Sequence, residues 1–292
     1  MRFATNKPDT FDYSVERVCR NCGNSFSGRY CNRCGERISE PADKSVMAIL
    51  SDVIQGFTFF DNKAIRTIKL IFLRTGELTR NFMEGVRVPF LKPLSVFFLA
   101  NLFYFLFPAF DTFNSSLRTQ MHFLPHSTIA RNIVEKRLAR EQVTLEEFTI
   151  RYQQQSTSMA RLILIVFVFF VALILGLINY SSRHYFYDHL LAALEFSSLL
   201  IIVGLLMIPW LLVLLGKLWW GNPHWVDVVL QDSVYSSLIG AICLGVFYMM
   251  EKRVYLQSTK NAIIKALLMI PGLFIAVHCY RIVLFFVTMW TL

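Results

Sequence analysis

Charged residues are scarce in this sequence, and their scarcity excludes an ordinary soluble domain. Asp, Glu, Lys and Arg account for 17% of the 292 residues, whereas 55% are hydrophobic and 15% are aromatic. Soluble domains carry about 25% charged residues. The composition therefore predicts an α-helical integral membrane protein. The formal net charge of +9 then favours membrane lipids, anionic ones above all, over nucleic acid as partners.

Motifs of the common enzyme classes are absent as well. The sequence has no nucleophile elbow, no Walker loop, no HExxH and no glycine-rich dinucleotide turn. Its first residues contain no apolar run, so we expect no secretory signal peptide. These absences favour a non-enzymatic protein and leave open an enzyme outside these classes.

Cysteine is rare, yet four of the six cysteines stand close together in a C-x2-C-x8-C-x2-C pattern. These four are Cys19, Cys22, Cys31 and Cys34. Gly23 and Gly35 follow the two pairs and permit the tight turns that let paired thiolates hold one ion. Four thiolates make a closed tetrahedral site, which predicts one structural zinc ion in a small ribbon. Iron and two disulfides are the alternatives.

Changes in polarity along the chain predict its organisation. We expect a flexible N-terminus over 1–17, the zinc ribbon over 18–38, an amphipathic helical linker over 39–92 and a membrane domain over 93–292. In the linker, isoleucines recur at helical spacing between Asn62 and Arg74, with basic residues on the other side. Such a helix either lies on anionic headgroups or packs on the protein's own spans.

Apolar runs in the membrane domain predict about five transmembrane helices. They cover 93–110, 162–178, 194–216, 233–250 and 263–287. A span needs about 20 apolar residues, and Arg281 interrupts the last run, which is either one tilted helix or a span with an interfacial tail. Residues 111–161 are expected to form an external helical segment, because Thr144–Phe148 reads TLEEF, the spacing of a capping box. A helix that starts there could run straight into the second span.

Charge asymmetry orients these spans. Basic side chains crowd the N-terminal side of the first run, and metal thiolates persist in a reducing cytosol. We therefore predict a cytosolic N-terminus and, with five spans, an external C-terminus.

The segment GELTRNFMEGVRVPFLKPL, residues 76–94, resembles a family of bacterial membrane proteins with a domain of unknown function. In that family a short zinc ribbon precedes an R-x-Y-x-x-G-K-R-x-x-Y-x-x-P segment and several spans. The matching positions here are Arg80, Phe82, Gly85, Arg87, Phe90 and Pro93. Phe82 replaces the tyrosine and Val86 the lysine. Later matches are Asp188–His189 for a Glu-His pair and Tyr280–Arg281 for a Tyr-Arg pair. The resemblance implies a multi-span protein of the bacterial cytoplasmic (inner) membrane, and it implies no activity.

Two sets of polar residues are candidate sites beyond the ribbon. Arg80, Arg87 and Lys92 precede the first span, where they either contact lipid headgroups or serve only as a topogenic flank. Six ionisable residues near or within apolar runs could form an intramembrane network. They are His184, Asp188, His189, Glu195, His278 and Arg281. We expect Glu195 to pair with Arg281, because ionisable groups at membrane depth need partners.

These features favour a non-enzymatic membrane scaffold or regulator whose zinc ribbon docks a cytosolic protein partner. The alternative is a lipid-handling protein or small-molecule transporter that uses the polar residues of the spans. Binding of nucleic acid by the ribbon is disfavoured, because the ribbon is so small. A homo-oligomer is compatible with the sequence.

Overall fold

In a computed structural model of the chain, the structure describes residues 12, 14–38, 62–107, 113–180, 184–219 and 232–292. Most of the predicted flexible N-terminus, the linker residues 39–61 and part of the loop after the third predicted span lie outside the described residues. The described parts are a small ribbon followed by helices.

The ribbon is built on a short antiparallel hairpin. Strands β1 (Glu16–Val18) and β2 (Ser25–Ser27) pair with Glu16 opposite Ser27 and Val18 opposite Ser25. A single bridge joins Tyr30 to Arg37. The apolar core of the ribbon is formed by Phe26 and the side chains of the cysteines, so little apolar surface holds it together.

Helices form the remainder of the described chain. Their bounds are α1 Asn62–Leu73, α2 Glu77–Glu84, α3 Pro93–Leu106, α4 Leu117–His122, α5 Ser127–Glu141, α6 Leu145–Leu162, α7 Leu164–Ile178, α8 Phe186–Leu199, a π-helical segment Leu200–Met207, α9 Ile208–Trp219, α10 Asp232–Arg253 and α11 Thr259–Thr291. Local signals explain several starts. Pro93 occupies the first turn of α3, and the Thr144 side chain accepts a hydrogen bond from the Glu147 N–H at 3.2 Å.

Two helical stretches are long and apolar enough to cross a membrane. They are Phe186–Leu212, which runs through the π-helical segment, and Thr259–Thr291. A third span results if α6 and α7, which are bent by 56° at Ile163, are counted as one. These stretches are consistent with a membrane protein. The count of five stays a prediction, because α3 has only 14 residues and the described residues contain two helices, or three with the bent pair counted as one, that are long and apolar enough.

The structure gives the helical bounds of three predicted segments. The third run is helical from Phe186, eight residues before the predicted start at residue 194. The last run is one helix of 33 residues that passes through Pro271 and Arg281 without a break. The helix that starts after Thr144 does not run straight on, because the backbone turns at Ile163.

The helices pack so that the bundle has two different ends. The first, called the ribbon end here, contains the ribbon, α1, α2, the C-terminal ends of α7 and α10 and the N-terminal ends of α8 and α11. The second, called the far end, contains α4 to α6 packed on the last turns of α11. Its core consists of Leu117, Ala130, Val134, Phe148, Tyr152, Phe285 and Met289.

Candidate functional site

The four ribbon cysteines converge on one point. All four sulfur atoms lie within 4.8 Å of one another, with 3.5 Å between the sulfurs of Cys19 and Cys34 and 3.6 Å between those of Cys22 and Cys31. A zinc ion with sulfur ligands at about 2.3 Å requires sulfur separations of this size. A disulfide requires about 2.05 Å, and all six cysteines are free. The disulfide alternative is therefore contradicted.

The two cysteine pairs are built by the same local structure, twelve residues apart. Gly23 and Gly35 both adopt left-handed backbone angles, with φ of 72° and 74°. Their N–H groups donate to the carbonyls of Cys19 and Cys31, each at 2.8 Å. Glycine adopts such angles without strain. The repeat brings the second cysteine of each pair back toward the first.

Backbone amides point at the sulfurs and favour the thiolate form. Burial opposes ionisation at Cys31, but hydrogen bonds from the N–H groups of Arg33 and Cys34 contribute to lowering the pKa of that thiol to about 6. At Cys19 burial raises the pKa of the thiol, although it also accepts hydrogen bonds from the N–H groups of Cys22 and Asn21. Thiolates are the form that binds metal. The arrangement could therefore hold one metal ion and leaves no coordination position open.

The ribbon sits on the elbow, defined here as residues 85–92 between α2 and α3. Gly85 has φ of 94°, and a Cβ added there would lie 3.0 Å from Cδ of Arg20 in the ribbon. The carboxylate of Glu36 accepts hydrogen bonds from the N–H groups of Val88 and Arg87, and desolvation at this contact raises its pKa. Two ribbon residues therefore contact the segment that leads into α3.

The three predicted headgroup residues have different surroundings. Arg80 forms an exposed ion pair with Glu84 at 2.7 Å. The guanidinium of Arg87 donates to the carbonyl of Phe82 at 3.3 Å and lies near Glu36. Lys92 is exposed and precedes the first residue of α3. Arg87 thus takes part in the ribbon contact, which sequence reasoning did not predict.

Glu195 caps α2 from a distant part of the chain. This fully buried carboxylate on α8 accepts hydrogen bonds from Gly76 N at 2.7 Å, Thr79 N at 2.8 Å and Thr79 Oγ1 at 2.6 Å. The N-cap residue of α2 is Gly76, which has no side chain to cap the first turn. Glu195 supplies the missing acceptor, and its negative charge faces the positive end of the helix dipole.

The expected pair between Glu195 and Arg281 does not form. Both carboxylate oxygens of Glu195 are occupied by α2, and neither group has the other as an ion-pair partner within the described residues. Helix geometry gives the reason. Glu195 lies nine residues into α8 and Arg281 lies 22 residues into α11, and both helices begin beside Tyr255. At 1.5 Å per residue the two side chains differ in depth by about 20 Å.

Three other network candidates do meet, around a tyrosine that sequence reasoning missed. His189 Nδ1 lies 2.8 Å from the hydroxyl of Tyr255, and the His184 ring packs on the same tyrosine with 5.3 Å between centroids. Asp188 accepts a hydrogen bond from Tyr185 N at 2.9 Å and lies 3.8 Å from His184. His189 therefore belongs with His184 and Asp188.

A second buried network joins three helix ends. Asn179 donates to Glu251 Oε1 at 2.8 Å and accepts from Lys265 Nζ at 2.7 Å. Glu251 is 1% exposed. Sequence reasoning missed all three residues, because Glu251 stands beside Lys252 and Arg253 and reads as part of a charged loop. The only sequence signal was a single lysine, Lys265, inside the last apolar run.

The two remaining candidates, His278 and Arg281, stand apart from these networks. His278 Nδ1 contacts the carbonyl of Phe274 one turn earlier, at 2.8 Å. Arg281 lies on the side of α11 that faces α4, where its carbonyl accepts from Gln120 at 3.4 Å. The structure thus brings His184, Asp188 and His189 together and leaves Glu195, His278 and Arg281 separate.

Comparison with models of known protein families finds a match in one part of the chain. Residues 61–105 match a family model described as "Protein of unknown function (DUF3667)". The match covers α1, α2, the elbow and nearly all of α3, and it supports the resemblance to an uncharacterised domain family. No curated protein and no solved structure matches the chain.

Proposed function

We propose that the protein is a non-enzymatic membrane regulator whose zinc ribbon docks a cytosolic protein partner at the bacterial inner membrane. The observation that carries this proposal is the contact between the ribbon and the elbow, which Glu36 and Arg20 make from the ribbon side. A ribbon that served only as a tethered binding module would not need this contact. The contact couples the state of the ribbon to the first apolar helix.

Zinc is the proposed ion because four thiolates in a tetrahedral arrangement suit it. Cys19, Cys22, Cys31 and Cys34 would hold it, and its role would be to fold the ribbon. A closed site offers no position for substrate or water. This supports a binding role for the ribbon and not a catalytic one.

The exposed face of the ribbon suits a protein partner. Val18 is 67% exposed and Tyr30 is 60% exposed, and Arg33 and Arg37, which lie near Tyr30 in the chain, are also exposed. An aromatic and aliphatic centre with a basic rim is typical of a surface that binds a protein segment with acidic flanks.

Helix α2 connects the ribbon to the membrane helices through direct contacts. The elbow joins α2 to α3, Glu195 ties the start of α2 to α8, and Arg253 of α10 donates to the carbonyl of Thr75 at 2.9 Å. A displacement of α2 would therefore break hydrogen bonds to two membrane helices.

We propose a five-span topology with a cytosolic N-terminus and an external C-terminus. The Asn179–Glu251–Lys265 network supports it, because it joins the ends of α7 and α10 to the start of α11, as expected for successive helices that alternate in direction. A reporter fused after Leu292 should be active only on the external side. Activity on the cytosolic side would contradict the topology.

Partner capture tests the regulator proposal. Proximity labelling and co-purification in the native cell compare the intact protein with Tyr30→Ala, which keeps all four metal ligands, and with Cys22→Ser. Both variants should lose the same protein partners at matched membrane levels. Cys279→Ser removes a cysteine outside the metal site and should lose none. A partner list unchanged in both ribbon variants would refute docking at the ribbon.

A transporter that works through the predicted polar network has less support. Glu195, His278 and Arg281 do not share a cavity, because Glu195 is occupied by α2 and lies at a different depth from Arg281.

A further inference from the structure

An apolar groove runs along α3, on the side that faces α1 and the π-helical segment. Its volume is about 640 Å³, within the range of ligand sites in proteins. Its walls include Ile68, Phe72, Leu99, Phe103, Ile202 and Leu206. Of the described residues that line it, only Thr67 is polar, and the Thr67 hydroxyl is already bonded to Lys63 O and Leu91 N. The groove therefore suits hydrocarbon and offers no polar partner inside.

The groove is as long as α3 itself. It extends from Leu91 in the elbow to Phe107 after the last turn of α3, which corresponds to about 20 Å of helix. The hydrocarbon core of a bilayer is about 30 Å thick. Near Phe107 the indole of Trp210 donates to the Phe107 carbonyl at 3.3 Å. An extended acyl chain can lie along this length.

One wall of the groove has an unusual backbone. Ile202, Leu206 and Met207 belong to the π-helical segment Leu200–Met207. π-Helical turns are rare and are frequently found at functional sites. The hydroxyl of Tyr235 on α10 donates to the carbonyl of Gly204 and supports the segment from the other side. The wall is therefore held in this form by a neighbouring helix.

Basic side chains stand at the elbow end of the groove. Lys69 is exposed and lies three residues before Phe72, so the two are neighbours on the α1 surface. Lys92 is exposed and directly follows Leu91, which lines the groove. An apolar groove with ammonium groups at one end is complementary to a lipid with an acidic headgroup.

We propose that this groove binds one acyl chain of an anionic phospholipid from the surrounding bilayer, with the headgroup phosphate at Lys69 and Lys92. The proposal goes beyond the regulatory function proposed above and does not depend on it. The lipid would hold α1, α3 and the π-helical segment in one arrangement.

Native mass spectrometry of the full chain tests the proposal, with phosphatidylglycerol and phosphatidylcholine as the added lipids. We expect one phosphatidylglycerol per chain, bound at least tenfold more tightly than phosphatidylcholine. Leu99→Trp fills the groove and should weaken phosphatidylglycerol binding at least tenfold. Leu102→Trp makes the same kind of change on an exposed part of α3 outside the groove and should leave binding unchanged.

A charge reversal tests the headgroup contact separately. Lys69→Glu should remove the preference for phosphatidylglycerol, whereas Arg66→Glu, on the opposite side of α1 from the groove, should keep it. Equal binding of the two lipids by the intact protein, or unchanged binding by Leu99→Trp, would overturn the proposal in favour of non-specific annular lipid.

The intact protein supplies a readout that needs no variant. In vesicles that contain phosphatidylglycerol with a photoactivatable group in the acyl chain, the adducts should concentrate on Leu99, Phe103, Ile202 and Leu206. Adducts spread evenly over the exposed apolar side chains, including Leu102 and Phe105, would overturn the proposal whether or not the variants fold.

Discussion

The two ends of this bundle differ in the contacts that we expect to join their helices. At the ribbon end the helices are joined by buried polar groups, namely Glu195 of α8, which caps α2, and the Asn179–Glu251–Lys265 network. At the far end, α4 to α6 are attached to α11 by a core of apolar and aromatic side chains. There Phe285 is in ring contact with His126 and Tyr152, at centroid distances of 5.4 and 6.2 Å.

This difference indicates which end can respond to a signal. A buried polar contact depends on direction and distance, so a small displacement leaves unsatisfied groups and carries a large free-energy cost. Apolar packing is not directional and tolerates small shifts better. The ribbon therefore contacts the end of the bundle that is joined by buried hydrogen bonds. Each of these hydrogen bonds is either formed or broken. The far end serves as a fixed base for α11.

Metal removal should have the largest effect and should be confined to the ribbon end. The ribbon core consists of little more than Phe26 and the cysteines, and structural zinc contributes about 10–16 kcal/mol in small zinc domains. Treatment with a chelator should unfold residues 14–38 and expose them to protease, while the helical circular dichroism of the bundle stays. Re-addition of zinc should restore protection. A ribbon that resists protease without metal would contradict this prediction.

Phe285→Ala should destabilise the packing of α4 to α6 on α11 at the far end. The Phe285 side chain is fully buried, and truncation of a buried phenylalanine typically costs about 3–5 kcal/mol in unfolding free energy. Phe286→Ala is the matched control, because its neighbouring ring is 43% exposed and substitution of an exposed side chain changes stability by about 0.5 kcal/mol or less. Denaturation in detergent micelles measures both. Equal losses in the two variants would mean that the far end is not held by this core.

Glu195→Gln should lower the free energy of unfolding by a smaller amount, through the loss of contacts at the ribbon end. The substitution removes the negative charge and places an NH₂ group against an N–H donor of Gly76 or Thr79. The lost hydrogen bond should lower the free energy of unfolding by about 2–3 kcal/mol. The same denaturation assay measures it, and hydrogen exchange should increase first in α2. Glu84→Gln changes an exposed carboxylate that pairs with Arg80 and should cost about 0.5 kcal/mol at most. Unchanged exchange in α2 would show that Glu195 does not hold that helix.

Sequence reasoning succeeded where the determining signal is local. The metal site depends on cysteines and glycines within one short segment, and the start of α6 depends on Thr144 and Glu147, three residues apart. The partner of Glu195 could not be predicted in this way, because Gly76 is 119 residues distant. The Asn179–Glu251–Lys265 network likewise joins residues from three helix ends. The π-helical segment has an ordinary apolar sequence, and its wide turns show only in the backbone.

Acidification should give the smallest effect on the helical bundle, and at the far end this effect should arise from His126. His126 is 7% exposed, and neither ring nitrogen has a hydrogen-bond partner within the described residues. Burial lowers the pKa of this imidazole below its ordinary value of 6.5, because the charged form would lose its hydration. The unfolded chain therefore binds a proton at a higher pH than the folded chain does. The contribution of His126 to stability is fully present above about pH 6.5 and is lost as the pH falls toward the lowered pKa.

His126→Phe separates this effect from other titrations. Phenylalanine keeps an aromatic ring against Phe285 and cannot bind a proton, so the loss of stability between about pH 7 and pH 5 should shrink in this variant. His122→Phe removes an exposed histidine of the same segment and should leave the pH dependence as in the intact protein. Unfolding midpoints measured across this pH range decide the question. If His126→Phe follows the intact protein at every pH, the buried imidazole does not make the far end sensitive to acid, and its packing alone holds it to α11.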